Sequence, residues 1–392
     1  MTNPMGPIAK AALLAAALPV CFGLYSIGII LPQIEQAFAS TPHATLLSQL
    51  VGGVPGLAFA IFSPLAGRLV ERLGVRSVYM WSMALFAVAG TSAMLFDNLY
   101  LILMTRIVVG AAVAGTLIAA MTGIGLLPQE QRARMLGFFT LVGGVLSLLL
   151  YYVVARLAQG GWRPAFSLHL LALPTLLLLL ALPRGPATSA PVSEPTAAAG
   201  PATGLPPFSL MAIALFLGMA GVLPGLFAPF YLASIGVHDP SQIMIPLIFA
   251  AIAVMPAAAS YGWFQRRLGI GGMFAACFLF TGLGSALAGM AGTVMALSGA
   301  MAVMTLGLGV SAANLNAAAV VVAPTHPGRT IGIVNGIFYG AQALLPFVAQ
   351  GLQSAFGIAG VFEVFAAISL VLAAIYASAA LRGRREAAAV GV

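Results

Sequence analysis

Gly67-Arg-Leu-Val-Glu-Arg-Leu-Gly74 recurs as Gly262-Trp-Phe-Gln-Arg-Arg-Leu-Gly269, 195 residues further along a chain of 392 residues. Four positions are identical in register: the glycine at each end and the Arg-Leu pair before the last glycine. Each copy is a polar island between long apolar runs. A repeat of this size in so apolar a chain predicts a membrane protein made of two like halves.

The composition agrees with this interpretation. Hydrophobic residues make up 61% of the chain and charged residues only 6%, with a mean hydropathy of +1.08. Soluble domains carry about 25% charged residues, so a soluble fold is excluded. The net charge of +8 does not indicate a nucleic-acid partner, because the basic residues lie in short loops between apolar runs. Cys21 and Cys277 lie inside apolar runs and the four histidines are scattered, so we expect no disulfide framework, metal site or cofactor.

Twelve apolar segments are long enough to cross a bilayer as helices, which takes about 20 residues each. A stretch rich in Pro, Ala, Gly, Ser and Thr separates two sets of six and predicts a flexible cytoplasmic linker. We therefore predict an all-α membrane protein with one six-helix half at 1–183, the linker at 184–207, and a second half with a short basic tail at 208–392. The predicted spans are 10–32, 45–66, 77–96, 99–127, 136–156, 164–182, 208–233, 242–262, 272–291, 293–323, 330–352 and 359–380.

The distribution of basic residues predicts the orientation in the membrane. Only Arg156 and Arg163 lie near loops on one side, and Arg106 lies inside a span. Basic loops stay in the cytoplasm, so both termini are predicted to be cytoplasmic, in a multi-pass protein of a bacterial-type inner membrane. The thirteen basic residues on the predicted cytoplasmic side are Lys10, Arg68, Arg72, Arg76, Arg132, Arg134, Arg184, Arg266, Arg267, Arg329, Arg382, Arg384 and Arg385.

The first copy of the repeated phrase resembles a loop signature of the major facilitator superfamily, Gly-x-Leu-x-Asp-Arg-x-Gly-Arg-Arg. It reads Gly67-Arg-Leu-Val-Glu71-Arg72-Leu-Gly74-Val-Arg76 here, with Glu71 in place of Asp and Val75 in place of Arg. Arg106-Ile-Val-Val-Gly110 and Gly161-Trp-Arg-Pro-Ala-Phe166 are similar to further elements of this family. The resemblance covers essentially the whole chain and implies twelve transmembrane helices in two pseudo-symmetric halves.

The resemblance also implies a gate. In the family this loop cluster holds the two halves together on the cytoplasmic side, so the candidate gating residues are Gly67, Glu71, Arg72, Gly74, Arg76 and Glu130. A solvated basic loop that only sets the topology is the alternative. The copy at Gly262 lacks an acid, so we expect the first copy to dominate gating. Span five lacks the Gly-Pro dipeptide that proton-driven exporters of the family often carry.

Arg106 is the one charge deep inside a span, where arginine costs roughly 2.5–3.5 kcal/mol on insertion scales. No acid lies in the middle of the spans that line the family's cavity, so Arg106 lacks an obvious carboxylate partner. It is either an anchor for an anionic substrate group or an arginine that snorkels outward or bonds backbone carbonyls.

Other polar residues inside spans are candidate substrate contacts. Asn335, Tyr339 and Gln342 share one helical stripe, and the offset of 195 relates that stripe to Ser147 in span five. Helix packing is the alternative for this stripe. Tyr25 in span one and Asn314 in span ten are two further candidates with the same alternative.

Proton coupling requires a group that titrates, and the candidates are Glu35, His169 and Glu363. We expect His169 and Glu363 toward the outer side and away from the central helices. A purely structural role for these polar residues is the alternative.

The function that follows is secondary active transport of a small organic molecule by alternating access, in a monomer. Efflux of an amphipathic drug-like compound or metabolite is the first hypothesis, with proton coupling left open. Uptake of a small organic anion anchored by Arg106, by symport or uniport, is the alternative. An enzyme is not expected, because the sequence has no paired carboxylates, no His-Cys cluster and no phosphate-binding loop.

Overall fold

A computed structural model describes residues 6–182, 207–322 and 327–389, and no β-strand occurs in these ranges. The first apolar segment combines short helices with a π turn and a 3₁₀ turn, whereas the following segments form long helices. Shorter 3₁₀ segments follow the third and fifth apolar segments. The α-helices up to the linker are α1 (Pro7–Leu14), α2 (Ala17–Val20), α3 (Leu31–Ala37), α4 (Ala44–Leu73), α5 (Val75–Ser92), α6 (Leu99–Gly125), α7 (Gln129–Leu157) and α8 (Ala172–Leu179).

The second half has fewer and longer helices. The predicted linker 184–207 lies outside the described residues except for Pro207, which is the N-cap residue of the first helix in this half. The α-helices of this half are α9 (Phe208–Ser234), α10 (Pro240–Gly289), α11 (Val294–Val322), α12 (Pro327–Gly340) and α13 (Leu345–Ala389).

Nine helical stretches of the described chain are long and apolar enough to cross a membrane, and Arg163–Leu179 is a shorter apolar helix. This finding confirms an all-α, multi-pass membrane fold. The predicted spans lie on helical segments, but their bounds differ from those of the helices. Spans 242–262 and 272–291 share α10, and α13 begins within span 330–352 and contains span 359–380. The count of twelve crossings and the cytoplasmic position of the termini therefore stay predictions.

The repeated phrase ends in the same backbone turn in both copies. Gly74 has φ 84° and ψ 157°, and Gly269 has φ 69° and ψ 177° inside α10. Residues with a side chain rarely adopt this conformation, which explains why glycine stands at both positions. In contrast, a Cβ built on Gly67 or Gly262 would meet no described atom within 4 Å outside its own stretch of helix, so neither glycine marks a close helix contact among the described residues.

A second pair of glycines extends the duplication. Gly161 has φ 101° and ψ 173°, and Gly357, 196 residues later, has φ 70° and ψ −179°. Each of these glycines ends one helical segment immediately before the last apolar segment of its half. The internal repeat is therefore visible in backbone conformation at positions where the surrounding sequence has diverged.

By contact density the chain divides into two compact units. The first comprises Met1–Gly200 with Tyr339–Pro346, and the second comprises Pro201–Phe338 with Phe347–Val392. The first unit packs its helices through small residues: a Cβ on Gly110 would lie 2.3 Å from the Pro55 carbonyl oxygen. Small residues let membrane helices approach closely when water supplies no driving force between them.

The second unit is packed in the same way. A Cβ on Gly284 would lie 2.2 Å from the backbone nitrogen of Met304, and one on Gly307 would lie 2.3 Å from the Cys277 carbonyl oxygen. These contacts hold α10 closely against α11. Polar side chains that bond backbone carbonyls add to this packing, for example Thr305 to Ala250 at 3.1 Å.

Candidate functional site

The first apolar segment is irregular at its centre, and that irregular part carries Tyr25. Cys21–Tyr25 forms a π turn and Ser26–Ile30 forms a 3₁₀ turn. Pro19 and Pro32, on either side, lack the backbone N–H that a continuous α-helix needs. Single π turns inside α-helices occur frequently at functional sites.

Six side chains of the first unit lie in this turn or beside it, and we call them the tyrosine cluster. The Tyr25 side chain faces Gln342 and lies close to Tyr339 and Tyr151. Tyr25 is half-buried, whereas Gln342 is only 3% exposed. The cluster thus brings three of the predicted substrate contacts together. Its members are Cys21, Tyr25, Ser147, Tyr151, Tyr339 and Gln342.

Helix α7 supplies one wall of the tyrosine cluster. The Gly143 carbonyl oxygen accepts a hydrogen bond from Cys21 Sγ at 3.3 Å and another from Ser147 Oγ at 2.9 Å. Tyr151 follows Ser147 by four residues, so the two side chains lie on the same face of the helix. The offset of 195 had marked Ser147 from the sequence alone.

Glycines on α4 make room for the segment that carries Tyr339 and Gln342. A Cβ on Gly56 would lie 2.6 Å from Oε1 of Gln342, and one on Gly53 would lie 3.1 Å from the Gln342 carbonyl oxygen. One turn beyond Gly56, the Phe59 ring meets the Tyr339 ring edge-on at 5.0 Å between centroids. Any side chain at Gly56 would displace the Gln342 amide from the cluster.

The chemistry of the tyrosine cluster is polar and aromatic, without a formal charge. It offers three phenol groups, a hydroxyl, a thiol and a carboxamide within a largely apolar surrounding. Ligand sites of this kind bind organic molecules through apolar contact and use a few polar groups to orient them. An uncharged polar or amphipathic molecule matches these groups better than a strong anion does.

Arg106 reaches the backbone of the same π turn and is completely buried. Its Nη2 donates to the Gly23 carbonyl oxygen at 2.9 Å, and its Nη1 lies 3.2 Å from Nε2 of His169. Nε of Arg106 is buried without a hydrogen-bond partner among the described residues. The arginine therefore does not snorkel; it bonds a backbone carbonyl, one of the alternatives weighed from the sequence, together with a histidine.

His169 is fully buried and contacts Phe22 of the first apolar segment and Arg106 of the fourth, two of the central helices, so its expected position away from them is wrong. The expectation assumed an α-helix, whereas Arg163–Leu171 is a 3₁₀ helix with three residues per turn, which changes the direction of each side chain. The His169 ring stacks on Phe166 and meets Phe22 edge-on at 4.5 Å between centroids.

In the second unit, the two asparagines predicted to contact the substrate both form hydrogen bonds with other groups of the protein. Asn314 is fully buried; its Nδ2 donates to the Ile270 carbonyl oxygen at 3.1 Å and its Oδ1 accepts from the Tyr261 hydroxyl at 3.3 Å. Asn335 is half-buried, and its Nδ2 donates to Oδ1 of Asn316 at 3.1 Å. Asn314 and Asn335 are thus not part of the tyrosine cluster.

Five of the six predicted gating residues lie within one stretch that ends at the Gly74 turn or just after it, and they are Gly67, Glu71, Arg72, Gly74 and Arg76. Glu71 and Arg72 are exposed, and Nη1 of Arg76 donates to the Leu182 carbonyl oxygen at 3.4 Å. The side chain of Glu130 lies outside the described residues. No ion pair joins Glu71 to a basic side chain within the described part of the chain, so the gating role stays a prediction.

The remaining proton-coupling candidates lie apart from the tyrosine cluster. The carboxylate of Glu35 accepts a hydrogen bond from the Thr45 hydroxyl near the end of the first apolar segment. Glu363 is exposed and packs beside Gly289 in the second unit. No group of three or more His, Cys, Asp or Glu side chains in the described ranges is arranged to hold a metal ion.

Sequence reasoning missed Cys21 and Tyr151 as members of the cluster. Tyr151 could have been found by continuing the stripe through Ser147 for one more turn. Cys21 could not, because a π turn changes the register that helical spacing assumes.

Comparison with known proteins identifies the family. Residues 13–346 match the profile of the Major Facilitator Superfamily. The chain belongs to this family. Its members are membrane transporters, which points to a transporter rather than an enzyme. A variant of the nucleoside transporter NupG shares the fold, with a TM-score of 0.72 at 16% identity over 94% of this chain and 99% of that one.

Curated relatives match a smaller part of the chain. The chain is 29% identical over 162 residues to the methylenomycin A resistance protein of Streptomyces coelicolor, covering 39% of this chain and 34% of the relative. It is 23% identical over 177 residues to the sialic acid transporter NanX of Escherichia coli, covering 45% of this chain and 43% of the relative. The matched segments span less than half the length of each relative, so the comparisons assign this major facilitator protein no substrate.

Proposed function

We propose that this protein is a secondary transporter that exports an uncharged or amphipathic organic molecule across a bacterial inner membrane by alternating access. The observation that carries the proposal is the tyrosine cluster around the π turn Cys21–Tyr25, which offers phenol and amide groups without a charge. Export, rather than uptake, is supported by the similarity to a resistance protein. The transporter works as a monomer with the lipid bilayer and the substrate as its partners.

The cluster is suited to recognition of a ring system. Tyrosine faces stack on planar or apolar groups, and the hydroxyls of Tyr25 and Tyr151 orient polar substituents. Gln342 adds a donor and an acceptor that rotate together. A strong anion would meet no fixed positive charge here, because Arg106 bonds Gly23 and His169 instead.

The uptake of an organic anion requires Arg106 to reach its substrate. Both terminal nitrogens of Arg106 are occupied and the residue is fully buried, so the geometry favours an uncharged or amphipathic substrate over an anion anchored by Arg106. Proton coupling through Glu35, His169 or Glu363 is part of the proposal, and an imposed pH gradient tests it.

The experiment is a ligand panel followed by transport. Neutral, amphipathic and anionic compounds are ranked by thermal shift on the purified protein, and the hits are tested in proteoliposomes with and without an imposed pH gradient. Tyr151→Phe and Tyr25→Phe should raise the KM for transported hits several-fold while the melting temperature of the ligand-free protein changes little. Tyr152→Phe is the matched control, because Tyr152 is the next residue and is 52% exposed.

Two results would overturn the proposal. The first is a panel whose transported hits are all strong anions. The second is equal transport kinetics for the Tyr151→Phe, Tyr25→Phe and Tyr152→Phe variants, which would place the substrate elsewhere.

A further inference from the structure

The outer face of α4, α5 and α6 contains an apolar groove of about 600 Å³. Cavities that hold small ligands have volumes of roughly 300–1,000 Å³. Ser82 is the one hydroxyl-bearing side chain among its described lining residues, and the Trp81 ring at its wall is 75% exposed. The principal side chains of the wall are Phe62, Leu65, Leu69, Leu73, Trp81 and Leu85.

The groove runs toward the Gly74 turn and ends beside exposed cations. Leu65, Leu69 and Arg72 follow each other at i, i+4 and i+7, so Arg72 continues the stripe of α4 that lines the groove. Arg68 lies one turn before Arg72 and is also exposed. No carboxylate within the described part of the chain lies within salt-bridge distance of either arginine. The apolar groove is thus continuous with Arg68 and Arg72, whose two positive charges outnumber the single negative charge of the exposed Glu71 between them.

We propose that this groove binds one acyl chain of an anionic phospholipid, whose phosphate is held by Arg68 and Arg72. The three helices that form the groove all qualify as membrane spans, so the groove faces lipid tails and its end with Leu73 lies near the membrane surface. Basic residues near a membrane surface attract anionic lipids. The arrangement of a tail groove with a cationic end matches a lipid that has an apolar chain and a negative head.

The positive charge beside the groove favours an anionic lipid over a second copy of the chain as its occupant. In a two-fold symmetric contact the same patch is used on both subunits. Such a contact across this face would bring Arg68 and Arg72 of both copies to the same membrane surface, where like charges repel. An anionic headgroup neutralises the same charges. The inference is independent of the proposed substrate, because none of the groove residues belongs to the tyrosine cluster.

Trp81 provides a direct probe of the groove. The chain has three tryptophans, so Trp162→Phe with Trp263→Phe leaves Trp81 as the only one. The folded double variant is placed in phosphatidylcholine vesicles that contain increasing mole fractions of lipid with brominated acyl chains, either phosphatidylglycerol or phosphatidylcholine. Bromine quenches tryptophan fluorescence only on close approach, so the quenching curve reports occupancy of the groove.

The expected result is half-maximal quenching at a lower mole fraction of the brominated anionic lipid than of the brominated zwitterionic lipid. Each arginine should contribute a factor of about five to this preference. The Arg68→Ala/Arg72→Ala variant should lose the preference. Ala111→Phe, which narrows the groove, should weaken quenching by both lipids.

The matched control is the protein in which Trp263 is the only tryptophan. Trp263 is 46% exposed and lies 3.9 Å from the Arg267 guanidinium, so it is a lipid-accessible ring beside a cation without this groove. Its preference for the anionic lipid should be smaller than that of Trp81, because no groove holds the lipid chain beside this cation. Native mass spectrometry of the unmodified protein, compared with Ala111→Phe, measures retained lipid without the tryptophan substitutions.

Three outcomes would overturn the proposal. They are identical quenching of Trp81 by the two lipids, an anionic preference that survives in Arg68→Ala/Arg72→Ala, and a Trp81 that neither lipid quenches. The last result would mean that protein, rather than lipid, covers the groove.

Discussion

Nη1 of Arg106 lies 3.2 Å from Nε2 of His169, and this contact determines where the imidazole carries its hydrogen. Nδ1 of His169 lies 2.8 Å from the Phe166 carbonyl oxygen, which can only accept. A guanidinium can only donate. Nδ1 is therefore the protonated nitrogen and Nε2 is the acceptor. A doubly protonated ring would turn an N–H and a positive charge toward Arg106, so the contact requires a neutral histidine.

The first prediction concerns the loss of this acceptor. His169→Ala should lower the free energy of unfolding by about 1.5–3 kcal/mol, the range for a hydrogen bond to a charged group, because Nη1 of Arg106 is left without a partner. Thermal denaturation of the purified protein measures the change. His238→Ala, at an exposed loop histidine, should have little effect.

His169→Gln separates a structural role from proton transfer, because glutamine accepts a hydrogen bond but does not titrate. We expect this variant to recover most of the lost stability and to keep the dependence of transport on the pH gradient. If the variant is stable but transport no longer responds to the gradient, His169 carries the proton and the structural interpretation is wrong.

The second prediction concerns the glycine that gives His169 its space. A Cβ on Gly90 would lie 1.9 Å from Cδ2 of the His169 ring. Gly90→Ala should therefore push the ring from Arg106 and destabilise the fold by about 1–3 kcal/mol, as overpacking usually does. Gly299→Ala is the control, since no described atom lies near its Cβ position, and it should be neutral or stabilise the helix by up to about 1 kcal/mol. Equal melting temperatures for the two variants would contradict the packing shown here.

Much of the fold follows from the sequence because membrane helices obey simple length and hydropathy rules. The apolar segments, the polar islands between them and the duplicated phrase are all visible in one dimension. The turns at Gly74 and Gly269 were marked by the repeat as well. What the sequence could not supply is the broken first segment, because π and 3₁₀ turns depend on how neighbouring helices satisfy the freed backbone groups.

The candidate site was only partly accessible to sequence reasoning. Helical spacing related Tyr339 to Gln342, but it also grouped them with Asn335, which bonds Asn316 instead. The pairing of Arg106 with His169 was missed because the residues are 63 positions apart and meet only through tertiary packing. Spacing rules describe one helix at a time, whereas these contacts join several.

The third prediction tests whether Asn314 serves packing or substrate. Because Asn314 bonds both Tyr261 and the Ile270 carbonyl, Asn314→Ala should destabilise the protein by about 1–3 kcal/mol while the KM of transported compounds stays unchanged. Tyr261→Phe removes one of the same bonds. A double-mutant cycle of the two, measured by thermal unfolding, should give a non-zero interaction energy. A raised KM at unchanged stability would instead make Asn314 a substrate contact.

The fourth prediction separates the two transport hypotheses. Arg106→Ala should reduce stability and transport of neutral and anionic compounds alike, because the arginine joins the first, fourth and sixth apolar segments rather than reaching a ligand. Initial rates in proteoliposomes, normalised to folded protein, give the comparison. Arg106→Lys keeps the charge but lacks the two-pronged guanidinium, so it should restore only part of the loss. A selective loss for anions would support uptake of an organic anion.

The fifth prediction concerns the gate at the first copy of the repeated phrase. Glu71 corresponds to Arg266 at the offset of 195, so only the first copy mixes an acid with its arginines. Glu71 makes no ion pair among the described residues, so the prediction concerns a pair that forms when the cytoplasmic gate is closed. We expect Glu71→Ala to favour the inward-open state by no more than about fivefold, since exposed ion pairs contribute about 0.2–1 kcal/mol. Glu71→Asp should keep the balance, and Arg266→Ala should change it less than Glu71→Ala does.

Spin-label distances measure this balance directly. Both native cysteines are buried, so labels on Ser77→Cys and Ser378→Cys, at exposed positions near predicted cytoplasmic ends of spans, should react selectively. In Glu71→Ala the distance distribution should shift toward longer separations, and added salt should shift the parent protein in the same direction, because salt screens exposed pairs. A distribution that is insensitive to both the substitution and the salt would mean that the loop only orients the chain in the membrane.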